Sequence, residues 1–401
     1  MLESNLCAEF KLAHNPKKLY HVNHTHGFQQ TKQEPIIPSS TDALVNNLSD
    51  HPEHTGLVVG LLQGEQRSVH GYGTAGGATP SGDTIFEIGS VSKVFTTALL
   101  AILTAEGLVA LEDPVARYVD ELAGYAESIT LQRLATHTAG LPKMPSDIFG
   151  SMLRDPGNPY AAYSTEKLLR YLSKRPPGGR NLEARLVAYS NLGMGLLGTL
   201  LGRRLGDSYE AAITKRICEP LGMKDTCIQL NEDQEGRLAA PHNARGKTSR
   251  NWDLPAFAGA GALKSTANDL LTFLAAHLGN GSADMVAALQ ECHTVREQAF
   301  APPGFLPRLL ALASGQERGK DRTREGMALG WTVGRLPSGG QVHWHHGATG
   351  GYRAFVGFVR GSQTGAVVMT NSGLSMRDGL LGTTATDRLG FEVLEHLVAA
   401  T

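Results

Sequence analysis

Cysteine is scarce in this chain of 401 residues: the four present, Cys7, Cys218, Cys227 and Cys292, include no CxxC pair. That spacing argues against a disulfide framework and against a zinc knuckle, and leaves reduced thiols as the expectation. Charge of one sign is also lacking. Lys and Arg number 37 against 38 Asp and Glu, for a formal net charge of -1, so no basic excess is available to hold nucleic acid by counterion release. No apolar run approaches the ~18 residues of a membrane span. The N-terminal MLESNLCAEFKLAHNPKKLYHVNHTHGF carries charges and histidines where a signal peptide would carry its apolar stretch. The expectation is a cytoplasmic protein with neither a nucleic-acid partner nor a membrane span. What is present is ordinary globular composition, 41% hydrophobic and 19% charged, enough to build two or three domains or one large domain with an insertion.

Residues 1–40 are polar and aperiodic and end in Pro35-Ile-Ile-Pro38-Ser-Ser, which reads as a boundary. His21, His24 and His26 have no Cys or carboxylate cluster beside them, so they are assigned to a solvated tail and no metal is expected. A short helix over 42–48 precedes an apolar, β-branched run, Gly56 to Leu62, that reads as a buried strand turning at Gln63-Gly64 into a second one. Apolar residues at Val94, Phe95, Ala98, Leu99, Ile102 and Leu103 mark a buried helix stopped by Gly107. Helical periodicity then dominates: Thr130 to His137, Thr165 to Ser173, Asn191 to Arg204, Tyr209 to Ile217 and Ser265 to His277. After a polar loop at 315–326, four short runs separated by Gly-rich turns predict successive hairpins: Ala328 to Leu336, Gln341 to His346, Tyr352 to Arg360 and Gly365 to Asn371. Thr386 to Ala400 closes as an amphipathic helix. Sequential hairpins and a late helix sharing one core predict an α/β (α+β) fold, an antiparallel sheet flanked by helices with an inserted all-helical part. The expected organisation is an extension at 1–40, a sheet domain at 41–112 and 325–401, and a mainly helical domain at 113–324.

Ser90-Val-Ser-Lys93 is an SxxK motif at the start of the buried helix. Residues i and i+3 share a helix face, so the Lys93 amine can lie one turn from the Ser90 hydroxyl. Serine needs a base to become a nucleophile, and lysine serves only where burial or a neighbouring charge lowers its pKa. Unpaired N–H groups at the helix start lie where an oxyanion would form. Ser90 alone is equally well read as a helix cap, and Ser164-Thr-Glu-Lys167 matches the same pattern in a polar, capping context. Tyr189-Ser190-Asn191 is the only YxN triplet among ten tyrosines; a phenol can relay a proton and an amide can orient an acyl chain, though a structural tyrosine would look the same. His345-His346-Gly347 precedes Ala348 at the end of an expected strand. There a small residue at 347 lets a ligand approach, and the Ala348 N–H is placed as an oxyanion donor. His54-Thr55-Gly56 has the same form but precedes the serine and reads as a turn.

In this order the three motifs resemble the serine β-lactamase and penicillin-binding superfamily, in the branch of class C β-lactamases, family VIII carboxylesterases and related DD-peptidases. The likeness runs from about Thr41 to Ala400. It extends through Phe86 to Thr96, Leu134 to Pro142, Pro220 to Thr226, Gly259 to Asp269 and Gly330-Trp331. The resemblance implies catalytic Ser90, Lys93 and Tyr189, with Asn191, His345, Gly347 and Ala348 on the substrate, and no cofactor. It implies an acyl-enzyme formed from a small ester, amide or β-lactam. His345 stands where class C β-lactamases carry lysine, and a histidine near its ordinary pKa is largely neutral at pH 7, titrating as the pH falls toward 6. An esterase or amidase with weak β-lactam hydrolysis is therefore favoured. Alternatives are a biosynthetic acyltransferase, a DD-peptidase and a catalytically silent binding protein on the same fold. No signature of an oligomeric state is present.

Overall fold

A computed structural model of the chain describes residues 55–125, 127–175, 183–300, 324–374 and 384–401. The helix expected over 42–48, the histidines at 21, 24 and 26, and most of the 315–326 loop lie outside these residues. All of the described residues belong to the unit Glu34–Thr401.

Strands β1 (Gly56–Gln63) and β2 (Gln66–Gly73) form a hairpin, and β3 (Phe86–Glu87) pairs with β4 (Lys264–Ser265). Late in the chain come β5 (Gly326–Met327), β6 (Thr332–Arg335), β7 (Gln341–Ala348), β8 (Arg353–Val359) and β9 (Thr364–Thr370). The main sheet runs in the order β2-β1-β9-β8-β7-β6-β5, antiparallel at every step. The longer helices are α1 (Ser92–Ala105), α2 (Thr165–Lys174), α3 (Asn191–Leu205), α4 (Ala267–His277), α5 (Ala283–Glu291) and α6 (Ala385–Ala399).

The alternation of side chains along a strand divides the core in two. Leu57, Val59 and Leu61 of β1 join Phe355, Val368 and the α6 residues Leu389, Val393 and Leu397 on one face. Val58, Leu62, Val356, Phe358, Val367 and Met369 face the larger core that contains α1 and α4. Both faces are covered, which is why β1, β8 and β9 read as continuous apolar runs and not as alternating ones. Helix α4 packs directly against β1 and β9. We keep the division into sheet and helical domains as a proposal, with α4 counted on the sheet side.

Three departures from the sequence pattern have local causes. The helix expected over Tyr209 to Ile217 ends at Ile213 and widens into a π turn at Thr214–Cys218. Pro220 follows, and its ring cannot donate to or clear the carbonyl four residues back. The strand expected over Ala328 to Leu336 is confined to Thr332–Arg335, because Gly330 turns the chain at φ 72. Helix α5 was not expected, although Ser282, which accepts from Met285 N, supplies a proper N-cap.

Candidate active site

Ser90 lies in a single 3-10 turn, Gly89–Val91, that runs straight into α1. Its hydroxyl caps no helix. Ser90 Oγ accepts from Lys93 Nζ at 2.8 Å and from Tyr189 Oη at 2.8 Å. Ser164 of the second SxxK motif behaves differently: its Oγ accepts from Lys167 N at the start of α2, while Lys167 Nζ donates to the Ala162 carbonyl.

Lys93 is completely buried, and its Nζ also donates to the Ala260 carbonyl at 2.7 Å. The same nitrogen stands 4.8 Å from the centroid of the Tyr189 ring. Removal from water, helped by the positive charge of Lys143, pulls the amine well below its ordinary value of 10.5. Tyr189 reaches the site from just ahead of α3. Ser190 caps that helix, accepting from Gly193 N at 2.9 Å and donating to the Pro142 carbonyl at 2.7 Å. Desolvation pushes the Tyr189 phenol upward, partly opposed by its bond to Ser90. With 39% of the tyrosine open to the cleft, solvent moderates that shift, but its direction makes the neutral phenol the resting form. Asn191 N donates to the Lys143 carbonyl, and Asn191 Nδ2 faces Met144 Sδ at 3.5 Å, a weak acceptor that a substrate carbonyl can replace.

His345 on β7 is 4% exposed, with its ring centroid 6.4 Å from that of Tyr189. Its Nδ1 donates to the His346 carbonyl at 2.7 Å, which leaves the lone pair on Nε2. Burial first, then the nearby Lys93, holds the imidazole well below 6.5. The expectation of a histidine titrating between pH 8 and 6 is therefore corrected: in the folded protein it stays neutral across that range. Gly347 also receives a different physical reason. A Cβ there would overlap the Ile88 carbonyl oxygen and sit 2.8 Å from Ser90 N. Its partner in the gap is Gly89, at φ 48, whose own Cβ would lie 2.7 Å from Ala348 N. What approaches β7 is the backbone of the Ser90 turn, and the two glycines bring Ser90 N and Ala348 N into one narrow space. Gly347→Ala should push the strand off the turn, costing about 1–3 kcal/mol and lowering kcat more than it raises KM; thermal melting and steady-state kinetics check both.

A cleft opens beside Ser90 and Ala348 and is walled by Met144, Tyr160, Trp252, Leu254 and Phe257. Tyr160 meets Trp252 and Phe257 edge-on, with centroids 5.0 and 5.9 Å apart. Trp252 is fixed by Glu87, whose Oε1 accepts from Trp252 N at 2.9 Å. Desolvation raises the Glu87 carboxyl. The sequence singles out none of these wall residues, which are scattered between positions 144 and 257 with no spacing to link them.

The family model described as Beta-lactamase matches residues 41–390. The chain belongs to the Beta-lactamase family. It is accordingly a serine hydrolase. It is 28% identical over 375 residues to the D-alanyl-D-alanine-carboxypeptidase/endopeptidase AmpH of Escherichia coli K12, covering 86% of this chain and 90% of that protein. A Beta-lactamase of Providencia stuartii is 30% identical over 253 residues, 62% of this chain and 60% of that protein. Among solved structures, a class C β-lactamase from Rhodobacter sphaeroides superposes with a TM-score of 0.67 at 26% identity, over 89% of this chain and all of the other. Membership in the Beta-lactamase family agrees with the antiparallel sheet flanked by helices. Among the described residues no helix is long and apolar enough to cross a membrane.

Proposed function

We propose that this protein hydrolyses small esters or amides through an acyl group carried on Ser90 Oγ. The observation that carries the reading is the position of that oxygen, 2.8 Å from both Lys93 Nζ and Tyr189 Oη, beside an amine whose burial favours its neutral form. A neutral Lys93 accepts the Ser90 proton as Oγ attacks the substrate carbonyl. The negative charge that develops on the carbonyl oxygen is taken up by the Ser90 and Ala348 N–H groups. Tyr189, protonated at rest, gives its proton to the leaving alcohol or amine and is reprotonated from Lys93. Water then attacks the acyl-enzyme by the reverse route, returning Ser90 and releasing the acid. In this reading Asn191 orients the acyl carbonyl, and the aromatic wall of Tyr160, Trp252 and Phe257 receives the acyl side chain.

The neutral His345 points the substrate preference away from carboxylates. With its proton on Nδ1 and given to a backbone carbonyl, the ring has no donor left for an anion. A short-chain p-nitrophenyl ester, a chromogenic cephalosporin and a D-Ala-D-Ala peptide assayed side by side test this reading. Ester turnover should be the fastest of the three, and no acyl adduct on Ser90 with any of them would sink the proposal. The kcat/KM ratio of a carboxylate-bearing ester to its neutral analogue should stay flat from pH 8 to 6. A rise of about tenfold, worth 1.4 kcal/mol, would mean that a protonated His345 binds the anion.

A further inference from the structure

We infer that His137 is a positioning residue that sets the place of the Tyr189 hydroxyl by anchoring the peptide groups on both sides of it. The His137 carbonyl accepts from Ala188 N at 2.9 Å, and His137 Nδ1 accepts from Ser190 N at 3.3 Å. Its ring lies against the Tyr189 ring, centroids 4.8 Å apart and planes inclined at 44°. One residue thus holds the backbone before Tyr189, the backbone after it and a side of its ring.

The cost at His137 is visible in the same place. Its φ of 59 is left-handed, a region that a non-glycine residue enters with strain. Because Nδ1 serves as acceptor, the ring proton sits on Nε2, and that nitrogen is buried with no hydrogen-bond partner among the described residues. A strained backbone and an unanswered donor at a residue 2% exposed mark a conformation that the surroundings impose for some return, and the return found here is the anchoring of Tyr189. Burial, with Lys93 close by, keeps the imidazole at about 3, so Nδ1 remains an acceptor at any pH near neutrality.

The inference rests on the reading of Tyr189 as the proton relay, and the test separates the two. His137→Asn keeps the arrangement: asparagine tolerates the left-handed region, and its Oδ1 sits one bond from Cγ, as Nδ1 of histidine does. His137→Gly keeps the backbone freedom and removes the acceptor and the ring. With a p-nitrophenyl ester, His137→Asn should hold kcat within about threefold of the unaltered protein. His137→Gly should lose on the order of tenfold to a hundredfold in kcat, the scale of a misplaced catalytic group, with KM little changed. In a Tyr189→Phe background His137→Gly should cost nothing further. The inference is overturned if His137→Gly matches the unaltered protein, if its loss persists undiminished without the Tyr189 hydroxyl, or if a folded His137→Asn is as slow as the glycine variant. Should His137→Gly fail to fold, His137→Ala, which also removes the acceptor and the ring, takes its place under the same expectations. If Tyr189→Phe on its own turns over normally, the relay itself is wrong and the inference falls with it; a slow Tyr189→Phe beside a normal His137→Gly removes only the inference.

Discussion

Ser90→Ala should leave a folded protein whose ester turnover has dropped on the order of 10⁴-fold to 10⁶-fold, the scale of deleting a covalent nucleophile. Removal of the hydroxyl takes one acceptor from Lys93 Nζ and one from Tyr189 Oη. Lys93 keeps the Ala260 carbonyl, and the partly exposed Tyr189 can turn to water, so the stability cost stays near about 1 kcal/mol. Circular dichroism and melting should therefore be nearly unchanged while the acyl adduct disappears from the mass spectrum. Ser164→Ala is the matched control. It loses a helix cap, at about 0.5–2 kcal/mol, and should turn over normally. A dead Ser164 variant would reverse the assignment of the two SxxK motifs.

Lys93→Met should separate activity from stability in the opposite sense, lowering kcat by roughly 10²-fold to 10⁴-fold while raising the melting temperature at neutral pH. The folded chain holds Lys93 without its proton more readily than the unfolded chain does, because the buried amine lies well below 10.5. Folding therefore releases a proton, and the penalty is present at every pH below the unfolded value of 10.5 and shrinks as the pH rises toward it. That penalty is set against about 1–3 kcal/mol for leaving the Ala260 carbonyl without its donor, and the fully buried amine is expected to be the larger burden. The difference in melting temperature between the variant and the unaltered protein should narrow between pH 7 and 10. A variant less stable than the unaltered protein at pH 7, or a gap that widens with pH, would show that Lys93 is charged in the folded state.

The parts of the site that could be read from the sequence are those within one helical turn. Ser90 and Lys93 share a face by spacing alone, and their 2.8 Å contact follows from it. Tyr189 is 99 residues from Ser90, and only the order of motifs shared with a family suggested that the two belong together. His345 was legible as a residue and illegible as an environment: its neutrality comes from burial and from Lys93, both supplied by tertiary packing. Gly347 was selected for closeness to a ligand, yet its neighbour is the Ile88 carbonyl, a contact between distant segments that no local pattern encodes. His137 entered only as the last residue of the helix expected over Thr130 to His137, where nothing in the sequence signals a left-handed backbone. The strands fared better because both faces of the sheet are covered, which writes β1, β8 and β9 as unbroken apolar runs.

The pairing of β1 with β9, Val59 opposite Val368, joins the first strand of the sheet to its last. During synthesis β1 and β2 emerge as a lone hairpin, apolar on its β1 edge, and two strands are marginal by themselves in water. That edge stays open until some three hundred further residues have been added, so the nascent chain presents a long interval in which an unpaired apolar strand can meet another like it. The Ser90 turn is complete in sequence well before then, but its partner across the narrow gap, Ala348, arrives with β7. In the proposed mechanism a chain arrested before residue 348 has Ser90 without the Ala348 N–H opposite it, and β1 still without β9 beside it.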